Sequence, residues 1–441
     1  MKNAGDPNAY TPNMDRLAKQ GSRFSNAFTP TPVCSPSRAS LMTSRYGSEL
    51  KITDWIHPKN DPGVGLPESV PSWPELLSKA GYQTALIGKW HLGDSAVQHP
   101  TKRGYKHFMG FIGGGTNPKD PVLEKDGKTA QREGYIVDLV AEEAMDWLQK
   151  RDPSKPFAMS VHFREPHTAY LPVRSEDWDK VKDVEIQLPQ PVFPGTDVEK
   201  VRKLMREYLA SVAAIDRNLG RILDQLDALG LAENTLVVYT SDHGYNMGQH
   251  GIWHKGNGHW ILRAEALPAA TENIPKGQRP NMFDTSLKVP MLLRWPGHIP
   301  AGAENKYTIS HLDWFPTFAE LAGAEVAART ILRGKSLTPI LANPETQEPP
   351  ADFYAEYSTK HQSSTHMRVY RTADWKLIRD FKNTGRDELY HLASDPGEIT
   401  NLISSSEPAA QAALKQLDQS ILGRMQEISD PLWLELSAKA K

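Results

Sequence analysis

Pro32-Val33-Cys34-Ser35-Pro36-Ser37-Arg38-Ala39-Ser40-Leu41 holds the single cysteine of a 441-residue chain, followed at fixed offsets by a proline and an arginine. One cysteine forms no intramolecular disulfide. Cys34 is therefore a small buried hydrophobe, a reactive group, or a residue awaiting modification. Working outward, Thr11 reads as the N-cap and Pro12 as the first residue of a helix carrying Met14, Leu17 and Ala18 and stopping at Gly21. On the other side, Ser72 caps a segment with Trp73, Leu76 and Leu77, and the apolar run Thr84 to Ile87 reads as a buried strand.

That strand leads into Gly88-Lys89-Trp90-His91-Leu92-Gly93, and the alternation then repeats. An amphipathic helix around Tyr135 to Leu148 precedes a strand from Phe157 to Phe163, which exits into Arg164-Glu165-Pro166-His167. The longest helix carries Leu204, Val212, Ile215, Leu219, Ile222 and Leu226 and ends at Gly230. Leu236 to Tyr239 is a further strand, exiting into Ser241-Asp242-His243-Gly244, and Val289 to Trp295 another. Apolar strands alternating with helices imply an α/β layered domain with a largely parallel sheet. The ionisable clusters follow the C-terminal ends of strands, the edge where such sheets bind ligands, so Lys89, His91, His167 and Asp242 have a geometric reason to converge.

A net charge of -2 without long blocks of one sign points to neither a nucleic-acid nor a membrane-surface partner, and no apolar run approaches a membrane span. Proline, at 34 residues, predicts many ordered loops. Residues 341 to 351 are rich in Pro and Glu and read as a boundary between a catalytic domain, 1–345, and a small C-terminal subdomain, 346–441, of antiparallel strands and a helix.

Cys34-Ser35-Pro36-Ser37-Arg38 and Gly88-Lys89-Trp90-His91-Leu92-Gly93 resemble the formylglycine-dependent sulfatases of the alkaline-phosphatase-like superfamily. The resemblance continues in family order through Pro166-His167, Ser241-Asp242-His243-Gly244, His250 to Gly256, Leu287-Lys288-Val289-Pro290 and Glu388-Leu389-Tyr390 to Glu398. It implies an α/β sandwich with a large mixed, mostly parallel sheet flanked by helices, plus a small C-terminal α+β subdomain. In that family a maturation enzyme oxidises the cysteine to formylglycine, whose hydrate attacks a sulfate monoester; the second hydroxyl then expels sulfate. A sulfate ester resists attack because its oxygens are anionic, so a positioned nucleophile in a cationic surround is what the reaction needs.

Carried over by position, Cys34 is the formylglycine precursor and Arg38 orients the hydrate. Lys89 and His91 flank nucleophile and sulfate, while His167 and Lys255 bind sulfate oxygens and help protonate the leaving oxygen. Asp242 and His243 lie on the metal side, where the family commonly holds calcium. Carboxylate oxygens suit that ion and a histidine nitrogen does not, so His243 is expected to face the nucleophile or leave the metal shell incomplete. Arg164, and His259 in the segment 257–281, are tentative substrate contacts, though a structural role is at least as good a reading for each. The resemblance implies a sulfated carbohydrate as substrate and a periplasmic or secreted location. It leaves two alternatives: hydrolysis of a phosphonate or phosphate monoester, or a catalytically silent binding protein.

The pattern departs from the family in one place. Relatives begin with a buried strand ending in an Asp-Asp pair that supplies two metal ligands, and no counterpart occurs in this sequence. Met1 then falls inside the loop after that strand, and the expectation is of an incomplete chain that binds calcium poorly and turns over slowly.

Overall fold

A computed structural model describes residues 1–342 and 352–439. The chain runs α1 (Pro12–Gln20), β1 (Ser22–Phe28), α2 (Cys34–Thr43), α3 (Gly47–Leu50), α4 (Trp73–Lys79), β2 (Gln83–Lys89) and β3 (His107–Phe111). A hairpin of β4 (Val122–Lys125) and β5 (Lys128–Gln131) precedes α5 (Ile136–Lys150), β6 (Phe157–His162), α6 (Ser175–Trp178) and α7 (Val198–Ala228). Next come β7 (Val237–Thr240), the short pair β8 (Ile252–Trp253) and β9 (His259–Trp260), α8 (Asp284–Leu287), β10 (Met291–Arg294), β11 (Ala303–Ser310), α9 (Trp314–Leu321) and α10 (Thr338–Ala342). The C-terminal part holds β12 (Phe353–Tyr357), β13 (Met367–Arg371), β14 (Trp375–Asp380), β15 (Glu388–His391), α11 (Pro408–Glu427) and α12 (Pro431–Lys439). The expected boundary between 345 and 346 lies outside the described residues.

Local chemistry explains the elements that lead to the site. Ser72 and Glu75 close a capping box at the start of α4, and Asp197 caps α7 through the amide of Lys200. In β2, Leu86 and Ile87 point to opposite faces: Leu86 joins Ala39, Met42, Trp73 and Phe315, while Ile87 joins Ile136, Val140 and Ala144 of α5. Helices thus cover both faces, and burying each such side chain contributes about 1.5–3 kcal/mol.

The architecture is the expected mixed α/β layering with a small C-terminal β subdomain, order β12-β13-β14-β15, but the main strands divide into two sheets. One has the order β5-β4-β3-β2-β6, with β2 parallel to β3 and β6. The other has the order β11-β1-β10-β7; β1 is parallel to β11, while β10 runs antiparallel to both β1 and β7. The antiparallel β10 is what helix-strand alternation failed to reveal, because the turn preceding it holds only the single-turn helix α8. Strands β6 and β7 each end a sheet, so among the described residues one edge of each is unpaired. Every residue of both is partly exposed, whereas every residue of β10 is buried. No helix among the described residues is long and apolar enough to cross a membrane.

Candidate active site

Cys34 is the first residue of α2 and is 2% exposed. Its Sγ lies 2.7 Å from Lys255 Nζ and 3.8 Å from His243 Nε2. Burial by itself would push the thiol up, but Lys255 and Lys89, with smaller contributions from His243 and His91, hold it well below its usual value. The start of a helix favours an anion as well. Lys89 is itself pulled down to about 8, first by burial and then by the positive neighbours Arg38 and Lys255.

Three histidines meet this centre with a common pattern. A carbonyl oxygen only accepts, so a ring nitrogen bonded to one carries the proton. His91 gives Nε2–H to the carbonyl of Ile56 (3.0 Å), leaving Nδ1 buried without another partner. His243 gives Nδ1–H to the carbonyl of Gly244 (2.8 Å), which leaves Nε2 toward Cys34. His167 gives Nδ1–H to the carbonyl of Thr168 (2.7 Å), and burial, then Lys255 and Lys89, pull it down to about 3. His91 and His167, both with lowered pKa, each keep one unprotonated nitrogen, a proton acceptor. His167 becomes a donor only once an anion offsets the two lysines.

Arg38 follows Cys34 by one helical turn on α2. Its Nε donates to Asp242 Oδ2 (2.9 Å), and its Nη1 donates to the carbonyl of Lys89 (3.1 Å) and lies 3.2 Å from His162 Nδ1. One guanidinium therefore links the C-terminal ends of β2 and β6 to the turn after β7. Asp242 is half-buried, and desolvation raises its pKa, but His243, Arg38 and Lys89 outweigh that and hold it far below the usual carboxylate range. Ser37, whose hydroxyl donates to the carbonyl of Asp242 and lies 3.1 Å from His311 Nδ1, anchors the same turn. Sequence reasoning missed His311, 274 residues from Ser37; it stands just after β11, and no motif marked it.

Cys34, Asp242 and His243 offer ligand atoms within 4.8 Å of one another. This donor set does not fit calcium, which takes six to eight oxygens. Asp242 is the one carboxylate in the group, and one of its oxygens is bonded to Arg38.

Of the two tentative substrate contacts, Arg164 is held by backbone carbonyls. It is buried, and its Nε and Nη1 donate to the carbonyls of Thr116, His167 and Ala169, so it braces the loops around His167. His259 lies on β9 with its ring 6.2 Å from that of His254, which stands 6.4 Å from His167. It is thus on the same flank as the site, two rings removed from His167.

Comparisons with known proteins place the chain in a family. The sulfatase family model matches residues 1–324, and that of the N-sulphoglucosamine sulphohydrolase C-terminal region matches residues 278–427. The chain is 28% identical to an N-acetylglucosamine-6-O-sulfatase of Bacteroides thetaiotaomicron, over 92% of this chain and 81% of that one. It is 27% identical to human N-acetylgalactosamine-6-sulfatase, covering 98% and 84%. A solved protein in complex with its substrate D-glucosamine-2-N,6-O-disulfate superposes with a TM-score of 0.81 at 26% identity, covering 98% of this chain and 95% of the other. With a buried, lysine-bound Cys34 at the sheet edge and a family match across most of its length, this chain belongs to the sulfatase family.

Proposed function

We propose that this protein hydrolyses a sulfate monoester of a carbohydrate through a formylglycine hydrate made from Cys34 by a maturation enzyme. The observation that carries the reading is the 2.7 Å approach of Lys255 Nζ to Cys34 Sγ within a centre shared with Lys89 and three histidines. Two cations beside one nucleophile suit an anionic sulfuryl group, whose charge is stabilised best by donors fixed in advance. One hydrate hydroxyl forms the new O–S bond while the bond from sulfur to the sugar oxygen breaks. A ring nitrogen, at His243 Nε2 or His91 Nδ1, takes the hydroxyl proton. The sugar oxygen leaves with a proton from His167 or Lys255. The second hydroxyl then loses its proton, the aldehyde re-forms, and sulfate departs.

Calcium enters this reading only as a family expectation, because the described residues provide one carboxylate of the group. The free edges of β6 and β7 end beside Arg38 and Asp242. With this donor set the residues described here are expected to bind calcium weakly, and calorimetric titration showing tight binding would overturn this.

Mass spectrometry of the Cys34 peptide from a host with the maturation enzyme tests the proposal. The expected result is the lower mass of the aldehyde; an unmodified thiol refutes the formylglycine route. Comparing aryl sulfate with aryl phosphonate turnover separates the sulfate reading from its phosphorus alternative.

A further inference from the structure

The loop of residues 358–366, between β12 and β13, reaches from the C-terminal subdomain to residues that neighbour Ser35 and Lys255 in the fold and in sequence. Two of its anchors lie there. On one side, Ile56 is held between nucleophile and cradle: its N–H donates to Ser35 Oγ (3.0 Å) and its carbonyl receives the His91 proton. The residues flanking it, Trp55 and His57, pack their rings 5.0 Å apart, and the ring of His361 lies tilted against both at 4.9 and 5.5 Å. His361 Nε2 donates to Asp61 Oδ2 (2.8 Å) and the Trp55 carbonyl (3.1 Å), which fixes the ring. On the other side, Asn257, two residues after Lys255, donates from Nδ2 to Gln362 Oε1 (2.8 Å) on the exposed surface. Adjacent residues 361 and 362 therefore tie the Ile56 flank to the Lys255 flank.

We infer that Trp55, His57 and His361, with the amide pair Asn257 and Gln362, form a saccharide-binding wall beside Cys34 that selects the leaving group. Fixed aromatic rings suit the apolar C–H face of a pyranose, and side-chain amides suit its hydroxyls. The two lysines supply the charge for sulfate; this wall supplies none, because the loop's one lysine, Lys360, is paired with Asp61 at 2.6 Å. The inference rests on the sulfate-ester reading for the position of the sulfuryl group. It adds the chemistry of what the sulfate is attached to: an uncharged ring face with hydroxyls at its rim.

Binding measurements on the whole chain test it without requiring turnover. The probes are inorganic sulfate and the methyl glycoside of 6-O-sulfo-N-acetylglucosamine, titrated calorimetrically into wild type, His361→Ala and Gln362→Ala. Wild type should bind the sulfated glycoside about tenfold more tightly than sulfate. Each variant should lose about three- to tenfold for the glycoside and stay within about twofold for sulfate, as one stacking contact or hydrogen bond would give. Equal affinity of wild type for both probes, or variants that weaken both alike, overturns the wall. If inorganic sulfate fails to bind, the sulfate-ester reading falls. Magnetisation transfer from the unsulfated glycoside to the Trp55 ring protons then decides: its presence supports the wall and its absence overturns it.

Discussion

On one side of Cys34 stand Lys89, Lys255 and His167, cations and a ring held by backbone carbonyls; on the other stand Asp242 and His243, on the turn after β7. The first side is fixed by packing: Lys89 ends β2, which has a neighbour on each edge, and Lys255 is buried. The second depends on Arg38 and Ser37, because β7 has one unpaired edge. The contrast shows that the two flanks of Cys34 rely on different supports: the lysines are held by burial, while Asp242 is held by the side chains of Ser37 and Arg38.

The largest effect expected is from Cys34→Ala, which should abolish both the aldehyde mass and all turnover of an aryl sulfate while leaving sulfate affinity within a few fold. Retained turnover would remove the nucleophile from the comparison altogether. Next, Asp242→Asn should cost about 3 kcal/mol of stability at pH 7, since it leaves Arg38 without its carboxylate. Asp242 has a depressed pKa in the fold, so its contribution is present above its unfolded value of about 3.9 and is lost as pH falls through the folded one. Denaturant unfolding should show the gap between wild type and variant closing on acidification; a gap independent of pH breaks the assignment.

Lys255→Ala should weaken inorganic sulfate by roughly 10- to 100-fold, the worth of one charge-assisted hydrogen bond. The same change should raise the pH midpoint for alkylation of unconverted Cys34 toward the ordinary thiol value of about 8.5, because burial then acts with one lysine fewer to oppose it. An unchanged midpoint would mean that the anion side owes its charge to Lys89 alone. The smallest effect sharpens the support argument. Amide exchange should be faster in β6 and β7 than in β2 and β10, whose residues are almost all buried. Equal protection would show that the free edges are closed in solution.

Much of the centre was legible along the chain. Cys34, Lys89, His91, His167, Asp242, His243 and Lys255 each follow a recognisable strand or sit in a motif, and the structure brings them together around one sulfur. The strand β1 was not legible: Ser22-Arg23-Phe24-Ser25-Asn26-Ala27-Phe28 is mostly polar, and its pairing with β11 carries a register shift between Phe24 and Asn26. The bracing role of Arg164 was not legible either, because the three carbonyls it donates to are known only from the fold.

By itself the sequence determined the helices, through caps and apolar periodicity, and the set of residues that gather around Cys34, through their places next to strand ends. These are local properties, set within a few residues. Only the tertiary structure decided that the strands form two sheets, that Arg38 turns to Asp242, and that His361 reaches Trp55 from the far subdomain. Those contacts join residues hundreds of positions apart. Their energy comes from burying charge and closing backbone edges in the folded chain, and no local pattern announces which partner will be there.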